Sequence, residues 1–325
     1  MNTTSYTGEM PELNPEVEAA YETAVHRYLH REDVTGVDYG IRMVQRKPVP
    51  EEGWCIRIHV REKFPDTTLT DQERIPAEIG GVPTDVVQAV YTPYDGRLGG
   101  FTVDPARMKA RGILRPGISI GHQSGTTGTL GLFVRHKPTG QVMVLGCAHV
   151  MAPSGAAPGD KILQPSLWDN GNSDGDLIGR IRFRNQRVDG ALAALDTVRR
   201  VEVKPYGSGR SITGVRQPRV GDILEKSGRT TSVTQALVTG VGTFPGVSHG
   251  FSLTTLPTET EDIEISHDGD SGAIWYDPET GEGVGMLVQG EDIQNPFKEW
   301  AIASSLVEVL ESLHAELWDG TDLDE

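Results

Sequence analysis

From residue 118 onward the texture of the chain is one of short apolar strands and turns. GTLGLFVRH is followed by the reversal KPTGQ and then by VMVLGCAHV, which together spell a hairpin. Further short apolar runs follow at ILQPSLW, LIGRIRF, ALAAL, ALVTGVGTF, AIWYD and VGMLVQG. Chain-reversing residues separate them, and the 325 residues include 39 glycines and 20 prolines. Many short strands joined by turns are what such spacing allows, and the count suits one or two small antiparallel barrels.

The first 95 residues have a different texture. Asn14, Pro15 and Glu16 read as a helix start: a cap, a proline in the first turn, and an acid at the positive end of the dipole. Val17, Tyr21, Val25 and Tyr28 then recur at helical spacing, which predicts an amphipathic helix over 15–31. VDYGIRMVQ and CIRIHVREKF alternate apolar with polar residues and predict half-buried strands. TDVVQAVYT, 84–92, predicts a third. Residues 1–95 therefore form an expected α+β unit, 96–117 an expected Gly-, Arg- and Pro-rich linker, and 118–325 the barrels. WAIASSLVEVLESLHAEL places Ile302, Leu306, Leu310 and Leu313 on one helical face, predicting a closing helix before the acidic tail WDGTDLDE.

The formal charge of −16 makes nucleic acid and anionic membrane surfaces poor partners for the molecule as a whole. No run of 18 apolar residues is present, so no spanning helix is expected, and the start lacks a basic segment leading into an apolar one. Two cysteines, Cys55 and Cys147, make no disulfide framework. A reducing, cytoplasmic setting is the resulting expectation.

Three stretches hold side chains suited to covalent chemistry. GDSG, 269–272, sets Ser271 on a turn where Gly269 lets the chain bend, so that the N–H groups of Gly269 and Ser271 could share one small pocket. A serine hydroxyl needs a base, and VLGCAHV ends an apolar strand on His149. VDGALAAL begins with Asp189, whose carboxylate would be costly beside an apolar strand without a partner such as a histidine N–H. Asp196, at the far end of that strand, is a rival. Asp174 and Asp176 sit in a turn-like GNSDGD and read as loop carboxylates. Ala273 breaks a G-x-S-x-G elbow, no Cys/His cluster has metal-ligand spacing, and no GxxxxGK[ST] loop occurs. Cys147 reads as a small buried apolar residue rather than a nucleophile, and His249 and His267 as loop residues. No metal and no cofactor are therefore expected.

CAHVMA, VDGALAAL and GDSGA, in the order histidine, aspartate, serine, resemble the trypsin-like (chymotrypsin-fold) serine peptidases. PGISIGH with GTLGLFV, LEKSGRTTSVTQALV, and CIRIHVREKF with ERIPAEIGGVPTDVV resemble more narrowly an intracellular bacterial and plant group that includes the NARROW LEAF proteins. The resemblance implies a mainly β, double antiparallel β-barrel with the triad between the barrels. By motif, His149 is the general base, Asp189 orients it, Ser271 attacks the scissile carbonyl, and Gly269 and Ser271 supply oxyanion N–H groups. VGMLVQG, 284–290, aligns with the strand that holds an extended protein or peptide substrate by β-pairing, which puts Gly285, Leu287 and Val288 in the substrate site. Trypsin's specificity acid falls six residues before the serine. Here that position is Ile265, which favours an apolar side chain before the scissile bond. KSGRTT is implied to be a strand and turn with no chemistry of its own. With a whole unit preceding the barrels, activity would be controlled by assembly, by a ligand or by cutting within 96–117, and the N-terminal unit would regulate or recruit. A homo-oligomer is compatible with all of this. The competing expectation, from another class, is a silent protease-fold scaffold that binds a protein partner.

Overall fold

The structure is a computed structural model that describes residues 10, 12–44, 47–93, 102–109, 112–258, 263–291 and 300–321. Asn14 caps the first helix, Pro15–Tyr28, by accepting from the Val17 N–H at 3.0 Å. The helix ends at Tyr28, three residues short of the expected limit, as the Arg31 N–H turns back to the Tyr28 carbonyl. It lays Val17, Ala20, Ala24 and Tyr28 on the strands Val34–Ile41 and Trp54–Val60, which pair antiparallel. Val82–Gln88 then adds parallel to Trp54–Val60.

Val34–Ile41 and Trp54–Val60 are not half-buried but almost wholly buried. The polar face expected to meet water carries Asp38, Arg57 and His59, all at 0% exposure. The reason is topological. Val34–Ile41 pairs with Ser232–Phe244, with Val37 opposite Thr243 and Tyr39 opposite Val241, so the N-terminal sheet continues that of the second barrel. The buried Arg57 and Asp38 satisfy each other: Arg57 forks onto both oxygens of Asp38 and Ser252 bonds both, while His59 Nε2 lies 3.3 Å from Asp38 without a hydrogen bond.

The second barrel is closed and six-stranded. Its order is Ile223–Gly228, Ile274–Tyr276, Glu282–Glu291, Trp300–Ser305, Val247–Thr254 and Ser232–Phe244, with the last returning to the first. The first barrel is a curved half-barrel centred on the hairpin Leu132–His136 and Val142–Cys147, to which Gly190–Leu195 and Leu177–Asn185 add in turn. Two large apolar clusters fill them.

The closing segment differs from the expected helix. Trp300–Ser305 is a strand between Val247–Thr254 and Glu282–Glu291, only Leu306–Ser312 is helical, and Ala315–Leu317 is again a strand. Every residue of Trp300–Ser305 is buried, so its apolar spacing carried no information about period. The stretch expected as a linker is built into the body where it is described. Arg107 is buried, donating to the Gly117 carbonyl and to Ser227 Oγ, both at 2.8 Å, and Leu114 bridges to Val201. Among the described residues no helix is long and apolar enough to cross a membrane.

Candidate active site

His149 lies on the single helical turn Ala148–Met151 that ends the Val142–Cys147 strand. That strand pairs with Gly190–Leu195, so Cys147 stands opposite Gly190 and Asp189 falls beside His149. The Asp189 carbonyl accepts from Ala148 N–H at 2.7 Å, and Oδ1 accepts from His149 N–H at 2.9 Å. Oδ2 meets His149 Nδ1 in a short contact. Asp189 takes φ +49° to do this, a left-handed turn that aspartate tolerates better than most residues. A carboxylate can only accept, so Nδ1 carries the proton and Nε2 presents its lone pair. Nε2 is buried and finds no partner.

Ser271 stands at the start of the second barrel's Ile274–Tyr276 hairpin. Its turn is packed on the histidine segment from both sides. A Cβ on Gly272 would lie 3.4 Å from Cys147 N and 2.4 Å from the Thr129 carbonyl, and Gly272 has φ +99°. A Cβ on Gly128 would meet Val150 at 2.6 Å and the Ser271 carbonyl at 2.9 Å. The Thr129 N–H donates to that carbonyl at 2.8 Å. Cys147, two residues before His149, therefore abuts this turn, and Val150, one after it, packs on Gly128, whose backbone lies against the Ser271 carbonyl. Ser271 is 0% exposed, and its Oγ is buried and unpartnered. Two unpaired buried polar atoms on adjoining segments each cost about 1–3 kcal/mol, and a fold keeps such atoms for a reason. Gly269 has φ +94°, and among the described residues neither its N–H nor that of Ser271 is hydrogen-bonded.

What holds this turn was not visible in the spacing of candidate residues. Asp270 is wholly buried, and its carboxylate accepts from Thr230 N–H at 2.7 Å, Thr231 Oγ1 at 2.6 Å and His267 N–H at 3.1 Å, with Lys226 Nζ at 3.4 Å. Arg229 N–H donates to Thr129 Oγ1, which donates in turn to the Gly269 carbonyl at 2.8 Å. The Arg229 guanidinium forks onto the buried Asp169. KSGRTT, a motif to which no chemistry had been given, is thus the clasp of the GDSG turn.

Other candidates lie elsewhere. Asp196 pairs with Arg180 at 3.1 Å on the surface, away from His149. Asp174 is exposed, and Asp176 is buried and caps its own loop through Asn172 N–H. Ile265 is sealed in the second barrel's core beside Ala273 and Leu287, so it lines no cleft. Gly285 pairs on both edges, with Trp275 and Ser305. Leu287 N–H donates to the Ala273 carbonyl, and its own carbonyl accepts from Gly272 N–H and, at 3.1 Å, from the Cys147 thiol. Val288 is buried within the other apolar cluster.

Among the described residues one group could offer three metal donors: Cys147, His149 and Asp189. Burial pushes the Cys147 thiol well above its ordinary value, and the nearby Asp189 charge adds to this, so the sulfur stays protonated and donates to Leu287. Two donors already bonded to each other remain. The accessible side of His149 and Asp189 instead opens on a shallow cleft edged by Ala152, Ser154, Gly155 and Arg184.

No protein-family model and no curated protein matches the chain. Solved structures do. Thermobifida fusca Protease A superposes with a TM-score of 0.46 at 15% identity, over 63% of this chain and 98% of its own. A glutamic acid specific serine protease gives 0.48 at 18%, over 63% and 100%, and Cellulomonas bogoriensis chymotrypsin gives 0.47 at 14%, over 63% and 98%. At such identity and superposition the fold of this chain rests on its own sheet order and register. That order, a closed six-stranded barrel beside a half-barrel with few helices, is a mainly β, chymotrypsin-like double-barrel fold.

Proposed function

We propose that the chain is a serine endopeptidase acting on protein or peptide substrates, with Ser271, His149 and Asp189 as its triad. One observation carries the reading: Asp189 holds both the backbone and Nδ1 of His149, which leaves an unpartnered Nε2 beside the segment that bears an unpartnered Ser271 Oγ. The reaction requires Oγ–H to reach Nε2, a contact of the kind that tightens when substrate binds. Nε2 then takes the hydroxyl proton as Oγ bonds to the scissile carbonyl carbon, and the carbonyl electrons move onto oxygen beside the N–H groups of Gly269 and Ser271. When the intermediate collapses, the C–N bond breaks and the imidazolium returns its proton to the departing amine. Water, giving a proton to the same nitrogen, adds to the acyl carbon; the C–Oγ bond then breaks as the imidazolium returns that proton to Oγ, releasing the acid.

The narrower placement with the intracellular bacterial and plant group that includes the NARROW LEAF proteins is part of the proposal. It rests on the resemblance of the stretches LEKSGRTTSVTQALV, CIRIHVREKF and ERIPAEIGGVPTDVV. A cytoplasmic setting is supported by two buried cysteines that are both free. The scaffold reading draws on the complete burial of Ser271. A fluorophosphonate reagent separates the two: an adduct on Ser271 that is lost in His149→Ala, with folding intact, supports the peptidase. Absence of any adduct on folded protein, with Tyr91–Pro93 intact or disrupted, supports the scaffold.

A further inference from the structure

The edge of the Glu282–Glu291 strand beyond the Ser271 turn is occupied by this chain's own N-terminal region. Residues Gln289, Gly290 and Glu291 pair antiparallel with Pro93, Thr92 and Tyr91. Their other edge is held by Trp300–Ser305, with Gln289 opposite Ile302 and Gly290 opposite Ala301. An extended peptide that adds to this strand has one edge available, and Tyr91–Pro93 sits on it.

The direction is also that of a substrate. As Tyr91–Pro93 runs from N to C, its partners fall from Glu291 to Gln289, toward Leu287. Leu287 is bonded to Ala273 and Gly272, immediately after Ser271. The segment thus approaches the nucleophile's turn with the polarity needed to carry an acyl group into it.

The hold on this edge is limited. Tyr91–Pro93 spans three residues, and Pro93 has no N–H to give to the ladder. Thr92 and Pro93 are exposed. The firm anchor is Tyr91, whose hydroxyl meets His59 Nδ1 at 2.8 Å and whose ring stands edge-on to Phe244 at 5.7 Å. Just before it, Ala89 is tied to the N-terminal sheet through the Val60 carbonyl and Thr35 Oγ1. Among the described residues the occupant is anchored at Tyr91 and exposed at Thr92 and Pro93.

Resting on the peptidase reading, in which this strand holds extended substrate, we propose that the chain blocks its own substrate edge at Gln289–Glu291. Tyr91–Pro93 is its resident intramolecular occupant, and substrate enters by displacing it. The partner that fits is an unfolded or flexible segment aligned as Tyr91–Pro93 is, rather than a preformed helix.

The test uses the full chain with Ser271→Ala, so that cleavage plays no part. Binding of a fluorescent Ala-Val-Tyr-Thr-Pro peptide, the sequence of 89–93, is measured with and without Thr92→Pro, a change at an exposed position. The peptide should bind the Thr92→Pro chain at least tenfold more tightly, a scrambled peptide should not, and the amides of 289–291 should exchange faster in that variant until peptide is added. Tyr91→Phe, which removes only the hydroxyl, should fall between the two. Equal affinities for both chains, or peptide binding that leaves exchange at 289–291 unchanged, overturns the proposal. The fluorophosphonate experiment on chains with intact Ser271 judges the peptidase reading separately: docking with no adduct would leave the surface and remove the enzyme.

Discussion

Replacing Lys226 with methionine tests whether the KSGRTT clasp fixes the Ser271 turn. Lys226 Nζ lies 3.4 Å from Asp270 Oδ2, and both side chains are 0% exposed. Methionine keeps most of the aliphatic packing and removes the charge. Taking one partner from a buried ion pair costs about 3–5 kcal/mol, because the other is left charged in a low dielectric. Asp270 would still accept from Thr230 N–H, Thr231 N–H and hydroxyl, and His267 N–H. The lower end, about 3 kcal/mol, is therefore expected. Lys226 also lies over the Trp275 ring at 5.6 Å, a contact worth about 0.5–2 kcal/mol that the variant weakens as well. Urea unfolding with an unchanged slope should show the loss as a lower midpoint. Adding Asp270→Asn should recover part of it, since no charge then remains unpaired, and the cycle should return a coupling of about 1–3 kcal/mol. A single variant within about 1 kcal/mol of the parent, or a double variant as unstable as the sum of the singles, would refute the clasp.

Asp189→Asn should lower any kcat for peptide cleavage by about 10⁴, because an amide can donate to Nδ1 and stabilise the wrong tautomer; steady-state kinetics with folding verified would check this. Gly269→Ala should cost at least about 1–2 kcal/mol, since φ is +94° and its Cβ would lie 2.6 Å from Thr230 Oγ1, and thermal unfolding would report it. Burial pushes the Cys55 thiol up to about 12 and the Cys147 thiol well above its ordinary value, so a thiol reagent at pH 8 should label neither until urea unfolds the chain. Burial alone would raise the Asp38 carboxyl, but the Arg57 and His59 charges overcome it and hold the group far below the usual range. A depressed folded value gives stability that is present above the unfolded value, about 4, and is lost as pH falls through the folded one. The contribution of Asp38, measured as parent minus Asp38→Asn by urea unfolding, should therefore be full at neutral pH and shrink steadily below about pH 4.

What could be read from the sequence was what is local. The hairpin turn at KPTGQ, the Asn14 cap and the runs that became Leu177–Asn185, Gly190–Leu195 and Ser232–Phe244 each declare themselves within about ten residues. His149, Asp189 and Ser271 could be singled out because each is a reactive side chain set against an apolar strand. What could not be read is long-range. Asp38, Arg57 and His59 alternate as a solvent face would, and only the pairing of Val34–Ile41 with Ser232–Phe244 buries them. Trp300–Ser305 is apolar on both faces, so helix and strand were equally consistent with it. Lys226 and Asp270 are 44 positions apart, and nothing at either end announces the other. Gly285 and Leu287 belong to the strand expected to meet substrate, yet pairing within the barrel uses their backbones and leaves the edge to the residues that follow.

The seam between the N-terminal sheet and the second barrel also explains how a short segment can guard an edge without locking it. Strong attachment lies in the seam: the Val34–Ile41 pairing, the forked Arg57–Asp38 pair, and the Trp300 ring, which lies under Arg57 and edge-on to His59. Tyr91 reaches this block through its hydroxyl on His59 and its ring against His59 and Phe244, while the exposed Thr92 and Pro93 pair along the strand edge. Opening the edge therefore breaks a few backbone bonds and leaves the buried charges paired. A guard held by the buried network itself would cost several kcal/mol to move, as breaking any buried ion pair does, and would release only on unfolding. Placing the charges in the seam and the guard at its rim lets one unit be joined permanently to the barrel while its last strand remains exchangeable.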